Sequence, residues 1–145
     1  MRVVLYICGI FAALVAGLFL AGRYLGHKEM EDIKPWVTYG GVMYIAKGCD
    51  KYKAQYGEWP GSLAQLVAGR PEFGDPWGKD AWGRYLVLVP FNPSLGYGQI
   101  ISYGRDGKPG GTGPDRDLVV RFPTDANADW NKQQGVGLKE PRFRL

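Results

Sequence analysis

Histidine and cysteine are scarce in this chain: its 145 residues hold one histidine, His27, and two cysteines, Cys8 and Cys49. One imidazole excludes histidine-rich zinc sites and histidine-based catalytic triads. Cys8 falls within an apolar run and Cys49 lies well outside it, so neither a disulfide nor a cysteine metal site is expected. No dense basic run exists either; the net charge of +4 is spread over scattered Lys and Arg, and RNA-binding aromatic motifs are missing, so nucleic acid is not an expected partner. Gly107-Lys108 is followed by proline rather than Ser or Thr, which rules out a phosphate-cradling Walker loop. There is no Ser/His/Asp or Cys/His set, and paired carboxylates occur only where Arg105, Lys108 and Arg116 crowd them, against a raised pKa. The chain therefore reads as no enzyme, with no small-molecule substrate.

What is present begins with residues 3–22, VVLYICGIFAALVAGLFLAG, an uncharged run bounded by Arg2 and Arg23. Its length suits one helical crossing of a hydrocarbon layer about 30 Å thick. A cleaved signal peptide is the alternative, and Ala16-Gly17 and Ala21-Gly22 offer small residues, but the run is long for a signal and the chain beyond it continues as helix. Residues 1–25 are thus expected to be a single-pass membrane anchor. The charge difference across it is small, and Glu29, Glu31 and Asp32 tip the reading towards an exported C-terminal domain.

Past the anchor, Pro35 marks a new helix start or a kink. Val42, Ile45, Ala46, Cys49, Tyr52 and Tyr56 then recur at steps of three and four, the apolar face of a helix that Gly57 ends by taking a left-handed backbone. Trp59-Pro60-Gly61 is a turn, and Ser62-Leu63-Ala64-Gln65 fits a capping box opening a short helix from Leu63 to Ala68. Residues 70–84 form a loop with a near-repeat, Asp75-Pro76-Trp77-Gly78 and Asp80-Ala81-Trp82-Gly83. Strands are expected at 85–89, 99–103 and 118–122. Residues 26–122 make one α+β domain, a long helix packed on a short helix and a small three-stranded antiparallel sheet. Residues 123–145 read as an irregular extension docking through Trp130 and Phe143. The five tryptophans could line a sugar-binding surface, but aromatics beside Pro and Gly more often anchor a small core.

Between the last two strands lies SYGRDGKPGGTGPDRDL, residues 102–118, with five glycines, two prolines, three aspartates and three basic residues. It fits neither a helix nor a regular strand. Two readings stay open: a turn-rich connection whose aspartates are solvated or paired with neighbouring cations, or a loop fastened by a bound ion. Calcium would suit such a loop, because it takes six to eight oxygens in irregular geometry, carbonyls included. The EF-hand spacing is absent, since Lys108 stands where a loop counted from Asp106 needs an oxygen ligand.

Three segments in order resemble one family, the major pseudopilin of type II secretion systems and its type IV pilin-like relatives. They are Tyr52-Lys53 with Tyr56-Gly57-Glu58-Trp59-Pro60 and Leu63 to Val67; Asp80-Ala81-Trp82-Gly83-Arg84 before a strand, with Asp75-Pro76-Trp77-Gly78 as the other register; and Ser102 through Asp106-Gly107 and Gly110-Gly111 to Asp117. Together they span roughly residues 45 to 120. The resemblance implies a pilin-like fold and a calcium loop with Asp106 and Asp117 as side-chain ligands, backbone oxygens near Ile101 or Ser102, and Asp115 as a weaker ligand. It also implies a bacterial inner-membrane subunit, its C-terminal domain in the periplasm or on the cell surface, that packs with copies of itself or other pseudopilins. The family's usual Gly-Phe-Thr-Leu-x-Glu start is absent, for residues 1–8 read MRVVLYIC, so neither prepilin peptidase processing nor assembly through that glutamate is implied. The alternative is a solitary membrane-anchored, extracytoplasmic binding module that never polymerises.

Overall fold

The computed structural model describes the backbone of residues 2–75 and 77–138, and the side chains of 14–28, 30–75 and 77–138. The chain divides into two compact units, Met1–Asp32 and Ile33–Leu145. Helix α1, Arg2–Tyr56, runs through Pro35 without ending. In the first unit, Leu14, Val15, Leu18, Phe19, Leu20, Tyr24 and Leu25 are all exposed. No described helix is long and apolar enough to cross a membrane, and of the anchor expected at 1–25 the side chains are described only from Leu14.

The second unit is α+β. After α1 come α2 (Leu63–Gly69), a short 3-10 turn at Pro71–Phe73, strands β1 (Val87–Asn92), β2 (Tyr97–Ser102) and β3 (Leu118–Phe122), and α3 (Ala128–Gly135). The α1 stripe is buried as far as Tyr52: Val42, Ile45, Ala46, Cys49 and Tyr52 meet Leu66, Phe73, Leu86, Ile100, Val120 and Phe122 in one core, whereas Tyr56, expected on the same face, is exposed at the helix end. Gly57 ends the helix with φ 77°, its N–H donating to the Lys53 carbonyl. Ser62 caps α2 by accepting from the Gln65 N–H at 3.1 Å. The Gln65 side chain reaches back one residue further than a capping box predicts, accepting from Gly61 N–H at 2.7 Å.

The sheet is antiparallel in the order β1-β2-β3. Its inner face carries Leu88, Ile100, Leu118, Val120 and Phe122, with buried Leu86 just ahead of β1. Gly98 of β2 faces the Phe122 ring so closely that a Cβ would sit 2.2 Å from its tip, so this strand position excludes any side chain. The first strand starts later than expected. Tyr85 instead forms an isolated bridge with Lys79, and β1 continues through Pro90 to Asn92 because it is an edge strand whose register shifts between Val89 and Asn92. Likewise β2 begins at Tyr97 and releases Tyr103, where Gly104 turns to φ 62°.

The stretch from residue 123 differs from the irregular extension expected, for it contains α3, and that helix covers the free edge of β3. Asn131, buried, accepts from Arg121 N–H and donates to the Arg121 carbonyl, both at 2.8 Å, so its amide stands in for a fourth strand. Tyr39 of α1 donates to the Asn131 carbonyl at 2.9 Å. The Arg121 guanidinium sits 4.0 Å from each of the Tyr97 and Trp130 rings. Trp130 thus docks as expected, while Phe143 lies outside the described residues. The polar residues of ADWNKQQG hid this helix, because its contact with the sheet is one amide and one aromatic ring rather than an apolar stripe. Replacing Asn131 with Ala leaves both Arg121 backbone groups without partners and is expected to cost about 1–3 kcal/mol, read from urea unfolding.

Candidate functional site

Loop 102–118 leaves β2 at Ser102 and rejoins the sheet at Leu118, opposite it in the register. Its two limbs approach at glycines: a Cβ on Gly104 would lie 2.7 Å from the Arg116 carbonyl oxygen, and one on Gly111 would lie 2.4 Å from that of Asp115. Both glycines have positive φ, which L side chains rarely adopt. The Arg105 N–H donates across the loop to the Pro114 carbonyl at 2.9 Å, and that of Gly107 donates to Tyr103 at 3.2 Å.

The expected ligands fall into different roles. Asp115 is engaged by Arg105 through two parallel bonds of 2.8 and 2.9 Å, and that pairing holds its carboxyl below the usual carboxylate range. Asp106 is exposed, with one oxygen accepting from Lys108 N–H at 3.0 Å. Ser102 is buried; its hydroxyl donates to Asp80 at 2.9 Å and accepts from Gly104 N–H at 3.3 Å. Ile101 lies in the central strand, paired with Val87 on one side and Val119 on the other, so its carbonyl turns into the ladder.

Asp117 is different. Its Oδ2 accepts from Gly110 N–H at 3.0 Å, while its Oδ1 is buried and meets no hydrogen-bond donor. A buried carboxylate oxygen without a partner is costly unless a cation or water completes it. The Lys108, Pro109, Gly110 and Gly111 carbonyls accept no hydrogen bond from the described residues. This all-oxygen set fits a hard cation such as calcium. Among the described residues no three His, Cys, Asp or Glu side chains gather, so such an ion would rest on Asp117 and on backbone carbonyls near Gly110, which is hydrogen-bonded to it, while Asp106 is engaged by the Lys108 N–H.

Residues that spacing did not single out fix the mouth of the loop. Asp80, buried, accepts from the Trp82 and Arg84 N–H groups, each at 2.9 Å, and from the Ser102 hydroxyl. The adjacent Ala81 N–H donates to Thr38 Oγ1 on α1 at 3.0 Å. Arg84 in turn donates to the Gly104 and Arg105 carbonyls at 3.0 and 2.6 Å. Asp75, the matching aspartate of the near-repeat, stays at the surface and pairs with Lys79 at 3.2 Å. The one available signal was an aspartate followed by Trp-Gly, a residue type that caps the backbone N–H groups ahead of it.

A second acidic contact ties the segment after β3 to α1: Asp50 accepts from the Thr124 backbone N–H at 3.1 Å and from the Thr124 hydroxyl. Beside it, the Cys49 thiol is pushed far up, chiefly by burial and then by Asp50, and offers no thiolate. Compared with known proteins, the chain matches no family model, no curated protein and no solved structure.

Burial pushes the Asp50 carboxyl above its ordinary value, with Asp125 adding to the rise; the Thr124 hydrogen bonds and Lys47 oppose it without cancelling it. A carboxyl raised in the folded state favours folding most when protonated, and that contribution is lost as pH climbs through the folded pKa. Relative to Asp50→Asn, the native protein is therefore expected to lose unfolding free energy as pH rises above the ordinary aspartate range, measured as paired urea midpoints.

Proposed function

We propose that this chain is a structural, non-enzymatic, pilin-like subunit of a type II secretion or type IV pilus-related system. It is held in the bacterial inner membrane by its N-terminal segment, with the second unit in the periplasm or on the cell surface. The observation that carries this reading is the surface of α1 from Leu14 to Leu25. Seven large hydrophobic residues are exposed there, Leu18 at 74% and Tyr24 at 69%. Arg23 is the one charged residue in this stretch, and the remainder of its surface suits lipid or neighbouring helices. The same helix supplies the core face of the second unit, as a subunit built on one long helix requires. Copies of the chain or other pseudopilins would pack along it.

Loop 102–118 would take calcium through Asp117 and Asp106, with carbonyls of Lys108 to Gly111 nearby. The ion supplies positive charge to a carboxylate oxygen that no donor reaches. A second reading is the solitary membrane-anchored module, in which the exposed apolar surface of α1 serves as an anchor alone.

Alkaline extraction of membranes and negative-stain microscopy of the purified full chain separate these readings. A membrane-retained protein that forms thin filaments supports the subunit. An intact Met1 by mass spectrometry with no filament at any concentration leaves the solitary module, and release from the membrane by alkali removes both.

A further inference from the structure

The loop's first arc, Gly104 to Gly107, has a fastener of its own. Arg84 lays its guanidinium across it, donating through Nη1 to the Gly104 carbonyl at 3.0 Å and through Nη2 to the Arg105 carbonyl at 2.6 Å. It lies so close to Gly107 that a Cβ there would be 2.7 Å from its Nε. The backbone of Arg84 is fixed from both sides: its N–H donates to Asp80 Oδ1 at 2.9 Å, and its carbonyl accepts from Asp80 N–H at 2.8 Å. Asp80 is anchored to Ser102, and Ala81 to Thr38 on α1. A guanidinium presents its donors as a rigid planar fork, which lets one side chain hold two successive carbonyls.

We infer that the Asp80–Arg84 turn is a permanent internal clamp, which holds the arc Gly104–Gly107 in shape whether or not a metal ion is bound. The Gly104 and Arg105 carbonyls already serve a cation, so they are not the oxygens a metal ion would use. On the reading of the loop as a calcium site, on which this corollary rests, the ion acts on Lys108–Gly111, Asp117 and the Asp106 side chain, and not on the clamped backbone of the arc. There the carbonyls accept no hydrogen bond from the described residues, and Asp117 Oδ1 has no donor. Arg84 is then a positioning residue: it shapes the loop's first limb without touching the ion.

Residue-resolved amide exchange on the full chain in detergent micelles, in calcium chloride and in chelator, tests this. The probes are the Arg105 and Gly107 amides, which donate to Pro114 and Tyr103. In the native protein their exchange is expected to be equal in the two buffers. In Arg84→Gln they are expected to exchange roughly tenfold faster or more in both, the loss of about one to two hydrogen bonds to a charged group. Arg84 is exposed, so the variant should fold; unchanged Ile100 and Val120 amides would confirm it. Asp117→Asn is expected to spare the arc. Calcium-dependent exchange at Arg105 and Gly107 in the native protein, or an arc unchanged in Arg84→Gln, would overturn the clamp. If chelator alters no amide anywhere while Arg84→Gln still frees the arc, the clamp stands and the calcium reading alone is lost.

Discussion

The carboxylate of Asp80 is where three parts of the second unit meet. It is buried, and each oxygen is spoken for: Oδ1 by the N–H groups of Trp82 and Arg84, Oδ2 by the Ser102 hydroxyl. A buried carboxylate tolerates this position only because it is saturated with donors. Its saturation fixes the turn that carries Arg84, the end of β2 that opens the loop, and, through Ala81 and Thr38, the registration of both on α1. Removing Asp80 would strand several donors at once, which is why the loop's shape depends on a residue some twenty positions before it.

The remainder of the second unit is built on one apolar surface of α1. Val42 to Tyr52 give a stripe that one short helix and three strands can cover, but such a small sheet leaves two edges. One is blunted by Pro90 and a shifted register, the other by the Asn131 amide. Asp50 and Asn131 do related work, fastening the chain after β3 to α1 and to the strand it has just left. Polar side chains aimed at backbone groups thus close edges of the fold that the apolar core does not cover.

How much of this could be read from the sequence follows from the range of each interaction. The end of α1, the Gly57 stop, the Ser62 cap and β3 are set by residues within one or two turns of each other, and spacing revealed them. The loop was legible as a loop because its glycines and prolines admit nothing else. Asp80, Arg84 and α3 were missed for one reason: Asp80 meets Ser102, Arg84 meets Gly104 and Asn131 meets Arg121 across sequence separations that no local pattern encodes. Asp115 looked like a candidate ligand, yet its partner, Arg105, sits in the opposite limb of the loop.

On the proposed calcium reading, the buried Asp117 Oδ1 is the atom the ion would meet, and calorimetric melting of the full chain in micelles probes it most directly. An ion that binds only the folded loop stabilises it by RT ln(1 + [L]/Kd), about 2.7 kcal/mol at roughly 100 times Kd. The melting temperature of the second unit is therefore expected to rise with calcium, to fall back in chelator, and to ignore both in Asp117→Asn. Equal melting temperatures for the native protein in calcium and in chelator would contradict a cation at this loop.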